Sequence, residues 1–492
     1  MHKCFLFWVV VGISCMFSSC SEESGQQPDK PNVLFISVDD LRPELQCYGS
    51  GQIHSPNIDK LAASGLTFRR AYCNVPVCGA SRASLLTGIR PTYHRFLQYY
   101  AQADVETPDA VTLPEHFKNN GYTTISVGKI FHSPADNETR AWSETPFRFD
   151  HHKLPDGSWS DKGWQNYISE ENLALAEERK WGAAKPWERQ AVGDTAYFDG
   201  KYAQKAIEYL QEFKESGEPF FLGLGFLKPH LPFNAPQKYW DLYDREKIEL
   251  ADNMFFPEQA PNQARFNWGE LRAYAGIPKE GPVNDSIART LTHGYYACVS
   301  ATDALIGQVL DELDRLGLRE NTIVVLWGDH GWNIGEHGMW CKHVNFETSL
   351  RTTFVMSAPG ASTGMVDGIV EMVDLYPTLN ELCALPPLQD QLDGVSLVPM
   401  LRNPASKLKA FAISKWMRGV TLVGERYFYT EWHDDQRQST GRMLYDHQTD
   451  PKENINIAEQ AENAALVEEL SKTLNAHLAD DYWTPGIGVY NR

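Results

Sequence analysis

The chain runs to 492 residues with 42% hydrophobic and 12% aromatic content, enough for one large globular domain plus a smaller one. A formal net charge of −19 excludes a nucleic-acid binder, which needs a basic face, and adhesion to anionic lipid by charge. An anionic substrate would require a local island of Lys, Arg or metal within this acidic protein.

The N-terminus, "MHKCFLFWVVVGISCMFSSCSEES", has a basic start, an apolar run too short to span a bilayer, and small residues before Cys20. Residues 1–19 read as an export signal of the lipoprotein type, with Cys20 becoming the lipidated first residue and residues 20–30 a flexible tether. An ordinary secretory signal is the alternative. The expected location is the periplasm, outer membrane or cell surface of a Gram-negative bacterium. After processing, Cys47, Cys73, Cys78, Cys298, Cys341 and Cys383 remain, without the paired spacing of a zinc site or disulfide scaffold.

Apolar runs at 32–38, 124–127, 219–226, 322–327 and 352–357 alternate with helical patterns, which predicts an α/β fold built on a parallel sheet. Between them, Thr112 and Glu115 form a capping box for a helix stopped by Gly121, and 299–318 is an amphipathic helix ending near Gly317. The composition changes near residue 400. Residues 31–400 are expected to form the catalytic domain, and 401–492 a small antiparallel sheet plus helix.

In open α/β sheets ligands bind beyond the carboxyl ends of the strands. Here those ends carry Asp39 and Asp40, then Lys129 and His132, then Lys228 and His230, then Asp329 and His330. One polar residue after a strand is an ordinary loop start; four such endings together predict a site. Asp39, Asp40, Asp329 and His330 suit a hard divalent cation, Ca²⁺ or Mg²⁺, because adjacent carboxylates repel unless a cation joins them. Zinc fits less well, as no further His accompanies these carboxylates. Arg82, Lys129 and Lys342 supply the cationic island, and His132 and His230 are candidates for proton transfer.

"NVPVCGASRASLLTG" (74–88) places Cys78 and Arg82 at the start of a helix ended by Gly88. The stretch alone leaves three readings of Cys78: a structural thiol, a thiolate nucleophile, or a cysteine chemically altered before it works.

"CGASR" (78–82) followed by "SLLTG" resembles the signature of the formylglycine-dependent sulfatases. "NVLFISVDDLRPELQCYG", "SPNIDKLAASGLTF", "SVGKIFH", "FLKPHLPF", "GDHGWNIGEHGMW" and "LYDHQTDPKENIN" extend the resemblance over nearly the whole mature chain. "VGKIFH", "KPHLPF" and "DHGWNIGEHG" are most similar to the iduronate 2-sulfatase branch. Ala80 stands where many members carry Pro, a departure that bears on which maturation enzyme acts. The resemblance implies an alkaline-phosphatase-like α/β sandwich. It also implies that a maturation enzyme oxidises Cys78 to Cα-formylglycine, whose hydrate attacks the sulfur of a sulfate ester and then expels sulfate. By the same resemblance, Asp39, Asp40, Asp329, His330 and residue 78 hold one divalent cation, Ca²⁺ before Mg²⁺. Arg82 stabilises diol and sulfate oxygens with the metal, Lys129 and His132 orient the diol, and His230 and Lys342 meet the sulfate and its bridging oxygen. The implied substrate is a sulfated oligosaccharide, with a 2-O-sulfated uronic acid at the non-reducing end first. Another sulfated sugar, or a phosphatase or phosphonate hydrolase on the same fold, is the alternative. The Trp-rich segment 148–200 matches no motif and reads equally as a sugar-stacking surface or a folded insertion.

Overall fold

The computed structural model describes Met1 and residues 30–388, 390–478 and 480–483, so the expected export signal and Cys20 lie outside the described residues. Seven strands make the central sheet: β1 (Asn32–Val38), β2 (Leu66–Tyr72), β3 (Thr123–Gly128), β4 (Phe220–Phe226), β5 (Thr322–Gly328), β6 (Phe354–Ser357) and β7 (Gly364–Glu371). Their order is β7-β2-β6-β5-β1-β4-β3. β1 lies parallel between β4 and β5, and β3 continues parallel beyond β4. β6 alone is reversed, antiparallel to both β5 and β2, so the sheet is mostly parallel. β1, β3, β4, β5 and β6 coincide with the apolar runs. β2 and β7 do not announce themselves, because Arg69 and Arg70 interrupt one and Asp367 and Gly368 fall at a register shift in the other.

Alternation along the central strands divides the core into two layers. Leu34, Ile36 and Val38 of β1 join one cluster, and Val33 and Phe35 the other. Helices α1 (Cys78–Thr87) and α2 (Leu113–Asn119) cover the second layer through Leu85, Leu86, Leu113 and Phe117. Helices α3 (Phe198–Ser216) and α4 (Asp285–Arg315) cover the first through Ala206, Leu210, Leu291 and Ile306. This is the sandwich expected of a parallel sheet buried on both faces. The predicted capping box of α2 is present. α4 starts well before the expected 299, at the cap Asn284, because Thr, His and Gly dilute its apolar stripe there. All six described cysteines are free thiols, and only Cys47 is not buried.

Strands β8 (Ala412–Trp416), β9 (Gly419–Val423), β10 (Tyr427–His433) and β11 (Ser439–Asp446) form an antiparallel meander. Helix α5 (Ala464–His477) packs on it through Val467, Leu470 and Leu474. This sheet is tied to the loop that leads into α1. The Lys415 N–H donates to Asn74 O at 2.9 Å, while the Asn74 amide donates to Ile413 O at 2.9 Å and Glu371 Oε1 at 2.8 Å. Glu371 also accepts from Arg90 Nε at 2.8 Å and Lys409 Nζ at 2.7 Å.

Burial opposes the charge of Glu371, yet Lys409 and Arg90 lower its carboxyl from 4.5 to about 2. Such a carboxylate contributes stability above pH 4.5 and loses it as pH falls toward the folded value. Glu371→Gln should therefore cost roughly 3 kcal/mol at neutral pH, the lower end for a buried pair since Arg90 is partly solvated. The difference from wild type should shrink on acidification. Lys60→Ala, which breaks a fully solvated pair, should stay within about 0.5 kcal/mol. Denaturant unfolding of the three proteins across pH measures both effects.

Candidate active site

The site follows from strand register. Val38 of β1 is paired with Phe226 of β4 on one side and Gly328 of β5 on the other, so three strands end level with one another. The residues that follow, Asp39, Asp40, Lys228, His230, Asp329 and His330, are thereby delivered to one edge of the sheet. β3 joins them only through a close approach: a Cβ on Gly225 would lie 2.1 Å from Lys129 O. Opposite this edge stands the start of α1, where a Cβ on Gly79 would lie 1.9 Å from Tyr99 O. Only glycine fits either position.

Asp39, Asp40, Asp329 and His330 are fully buried. The Asp40 N–H donates to Asp329 Oδ1 at 3.0 Å, with Asp40 in a left-handed conformation (φ 62°) that a short polar residue tolerates. Arg82, one helical turn beyond Cys78 and also fully buried, donates from Nε to Asp329 Oδ2 at 3.0 Å and from Nη2 to Asp39 Oδ1 at 3.1 Å. Its Nη1 donates to Ser37 Oγ at 2.9 Å, Ile130 O at 3.0 Å and Lys129 O. The guanidinium is thus turned toward the carboxylates and fixes their positions. Lys129 Nζ donates to the other oxygen of Asp39 at 2.6 Å. Although burial opposes its charge, Lys129 and Arg82 hold the Asp39 carboxyl well below the usual range. Burial pushes Asp40 well above it, against the pull of Lys342.

Burial, reinforced by Asp39, pushes the Cys78 thiol up to about 12. That shift disfavours the thiolate form of Cys78. His330 donates from Nδ1 to Gly331 O at 2.9 Å, which turns Nε2 toward Cys78 Sγ at 3.4 Å, Asp40 Oδ1 at 3.5 Å and Asp329 Oδ1 at 3.7 Å. Ligand atoms of Asp39, Asp40, Cys78 and His230 lie within 4.8 Å of one another, as do those of Cys78, Asp329 and His330. Three carboxylates and an imidazole fit a hard divalent cation, and this donor set is poor in the sulfur and nitrogen that zinc prefers.

The other predicted residues divide. Lys342 Nζ contacts Asp40 Oδ1 at 3.1 Å, and it is held between two non-glycine residues in the left-handed region, Cys341 (φ 69°) and His343 (φ 78°). Such conformations persist only where surrounding structure imposes them. His230 donates from Nδ1 to Leu231 O at 2.6 Å and turns Nε2 toward Asp40 at 3.9 Å. His132 packs edge-on to Tyr99 with ring centroids 5.9 Å apart, and its Nδ1 has no hydrogen-bond partner among the described residues. Burial and then Lys129 lower its pKa well below 6.5. Lys228 is drawn away from the site, donating to Pro232 O at 2.6 Å and His230 O at 3.0 Å, and so braces the His230 loop. His343 lies between Phe266 and Trp416, both with ring centroids at 4.8 Å, and burial with Lys342 lowers its pKa to about 3. It acts as packing.

One residue escapes the sequence reading. Glu270, on the single helical turn Gly269–Arg272, reaches His230 Nε2 at 3.1 Å and Lys342 Nζ at 3.1 Å. "NWGELRAY" reads as an ordinary surface turn and carries no signal for it. Trp164 brings the segment 148–200 to the site, packing edge-on to His230 at 5.5 Å.

Comparison with known proteins agrees with this geometry. The family described as "Sulfatase" matches residues 31–384, and that described as "N-sulphoglucosamine sulphohydrolase, C-terminal" matches residues 335–480. Iduronate 2-sulfatase of Mus musculus is 32% identical over 417 residues, 77% of this chain and 73% of that protein. A sulfatase of Formosa agariphila is 31% identical over 490 residues, 95% and 91% of the two chains. Among solved structures, a phosphonate monoester hydrolase from Silicibacter pomeroyi superposes with TM-score 0.73 at 22% identity, covering 91% of this chain and 95% of the other. A 2-O GAG sulfatase superposes with TM-score 0.68 at 22% identity, covering 92% and 93%. At that identity the superpositions establish the alkaline-phosphatase-like fold.

Asp329 anchors the Asp40 backbone and Arg82 Nε while offering a ligand oxygen. Asp329→Asn should weaken divalent-cation binding by about tenfold or more, since one anionic oxygen is lost and its neighbours lose their anchor. Calorimetric titration of the chelator-treated protein with Ca²⁺ reads this directly. Equal affinity in wild type and variant would place the cation elsewhere.

Proposed function

The chain belongs to the sulfatase family and is a sulfuric ester hydrolase, and on that premise we propose that it removes the 2-O-sulfate from a uronic acid at the non-reducing end of a sulfated glycan. The working residue is Cys78 converted to formylglycine by a separate maturation enzyme. The observation that carries this reading is the setting of Cys78: the first residue of α1, buried, and ringed by Asp39, Asp329, Arg82, Lys129 and Lys342. A thiol there is a poor nucleophile. As formylglycine, the same position supplies two geminal hydroxyls, one to attack sulfur and one to release sulfate.

The chain's own groups then have defined tasks. Arg82 fixes Asp39 and Asp329, which with Asp40 and His330 would hold a divalent cation, Ca²⁺ before Mg²⁺. When bound, that cation neutralises charge on the reacting oxygens. Lys129 orients residue 78, and His132, kept neutral by burial and by Lys129, is suited to accept a proton. His230 and Lys342 face the departing side, where His230 protonates the alcohol oxygen and Lys342 stabilises charge on the sulfate.

The 2-O preference is supported by the relatives named iduronate 2-sulfatase and by the likeness to the 2-O GAG sulfatase. Sulfated sugars of other linkage are the second reading, favoured by a relative named ulvan-active sulfatase at 28% identity. The test uses matured protein, with residue 78 checked by mass spectrometry of the tryptic peptide 71–82. It is incubated with disaccharides carrying single 2-O-, 6-O- or N-sulfates. An aldehyde at residue 78 and selective loss of the 2-O-sulfate are expected. An unmodified thiol in active protein overturns the formylglycine reading, and loss of 6-O- or N-sulfate alone overturns the regiochemistry.

The same reading includes export and a lipid anchor on Cys20, supported by the lipoprotein-type leader. Cys20→Ala should move the protein from the membrane to the soluble fraction of the bacterial envelope; an unchanged membrane fraction argues for another anchor.

A further inference from the structure

Among the carboxylates of the site, Glu270 stands apart. Asp39, Asp40 and Asp329 have side chains at most 1% exposed, whereas Glu270 is 22% exposed and is the outermost of the four. It bridges the two groups assigned to the departing side of the reaction, His230 Nε2 at 3.1 Å and Lys342 Nζ at 3.1 Å. His230 itself is only 14% exposed, with Trp164 at 5.5 Å and Trp332 at 6.4 Å narrowing the approach. An anion that reaches His230 and Lys342 must therefore come to rest within a few ångström of a fixed carboxylate. Glu270 is not the only carboxylate that Lys342 meets, since Asp40 lies at 3.1 Å from the same amine.

We propose that Glu270 is a charge filter that admits monoanionic esters and disfavours dianionic ones, setting the preference for a sulfate ester over a phosphate monoester. The inference rests on the sulfate-ester reading above and adds to it the residue that separates the two chemistries. A sulfate ester carries one negative charge. A phosphate monoester above its second pKa, near 6, carries about two. The extra charge meets Glu270 in a site of reduced solvent screening, where each unit charge a few ångström away matters. Although burial opposes its ionisation, Lys342 and His230 hold the Glu270 carboxyl well below the usual range, so the charge is present at neutral pH. The filter reads charge and not the central atom, so a monoanionic phosphonate monoester passes as a sulfate ester does.

The experiment compares two ligands of equal shape and unequal charge, phenyl phosphate and phenyl methylphosphonate, binding to matured wild type, Glu270→Gln and Glu270→Asp. Dissociation constants are measured by calorimetry at about pH 8, where phenyl phosphate is the dianion. Glu270→Gln keeps the shape and removes the charge. It should tighten phenyl phosphate relative to phenyl methylphosphonate by about tenfold, a Coulomb effect discounted for partial exposure. Glu270→Asp keeps the charge and should hold the ratio near wild type. A ratio that moves less than about threefold in Glu270→Gln, or as far in Glu270→Asp as in Glu270→Gln, overturns the filter. Turnover of an aryl sulfate by the same wild-type preparation tests the sulfate-ester reading separately.

Discussion

The arrangement depends on Arg82. Two parallel neighbours, β1 and β5, end in register and leave Asp39, Asp40 and Asp329 side by side in the interior. Uncompensated, three such carboxylates would cost several kcal/mol each to bury. The guanidinium spans Asp39 and Asp329, and the two lysines take one carboxylate each, Lys129 holding Asp39 and Lys342 holding Asp40. Arg suits the central role because its planar fork reaches two acceptors at fixed angles, which a lysine ammonium does not. The position of Cys78 follows from this pairing, since one turn of α1 separates the thiol from the guanidinium.

That dependence explains why the small C-terminal sheet belongs to the site although it supplies none of the predicted chemical groups. The loop before α1 is hydrogen-bonded to β8 through Asn74 and through Cys73 O, which accepts from Ser414 Oγ, and Asn74 is in turn held by Glu371 at the end of β7. The start of α1 is therefore fixed from both sides, by the main sheet through Arg82 and by the meander through Asn74. His343 and Trp416 add an aromatic contact between the Lys342 loop and β8. A helix mouth held in this way keeps residue 78 in register with the carboxylates whichever form its side chain takes.

Much of this was legible in the sequence, for a definite reason. Buried parallel strands are continuous apolar runs, and the first charged residue after such a run marks the strand's carboxyl end. That logic finds Asp39, Asp40, Lys129, His230, Asp329 and His330 without any tertiary information. It fails where the polarity pattern is mixed. β2 carries two arginines and β7 a register shift, so neither looks like a strand. It also over-reads Lys228, whose position after β4 resembles that of Lys129 but whose amine turns back to brace its own loop. Glu270 is the instructive omission. Its role comes from a contact to His230 across 40 positions of sequence and to Lys342 across 72, and local periodicity carries no trace of either.

The site thus has two layers that differ in burial and in origin. Its inner layer, Asp39, Asp40, Arg82, Lys129, Asp329, His330 and Lys342, is almost wholly buried, comes from strand ends and the start of α1, and is mutually paired. Groups already committed to one another in a dry interior preorganise charge for the reaction and leave little freedom to distinguish sugars. The outer layer is different. Trp164 comes from the segment between β3 and α3, Glu270 from a turn before α4, and Trp416 from the meander. The segments that carry Trp164 and Glu270 are not constrained by sheet register, so their side chains can vary without disturbing the carboxylate cluster. Chemistry is fixed by the inner layer, and the choice among esters must be made by the outer one, which is where Glu270, the one partly exposed carboxylate of the four, stands.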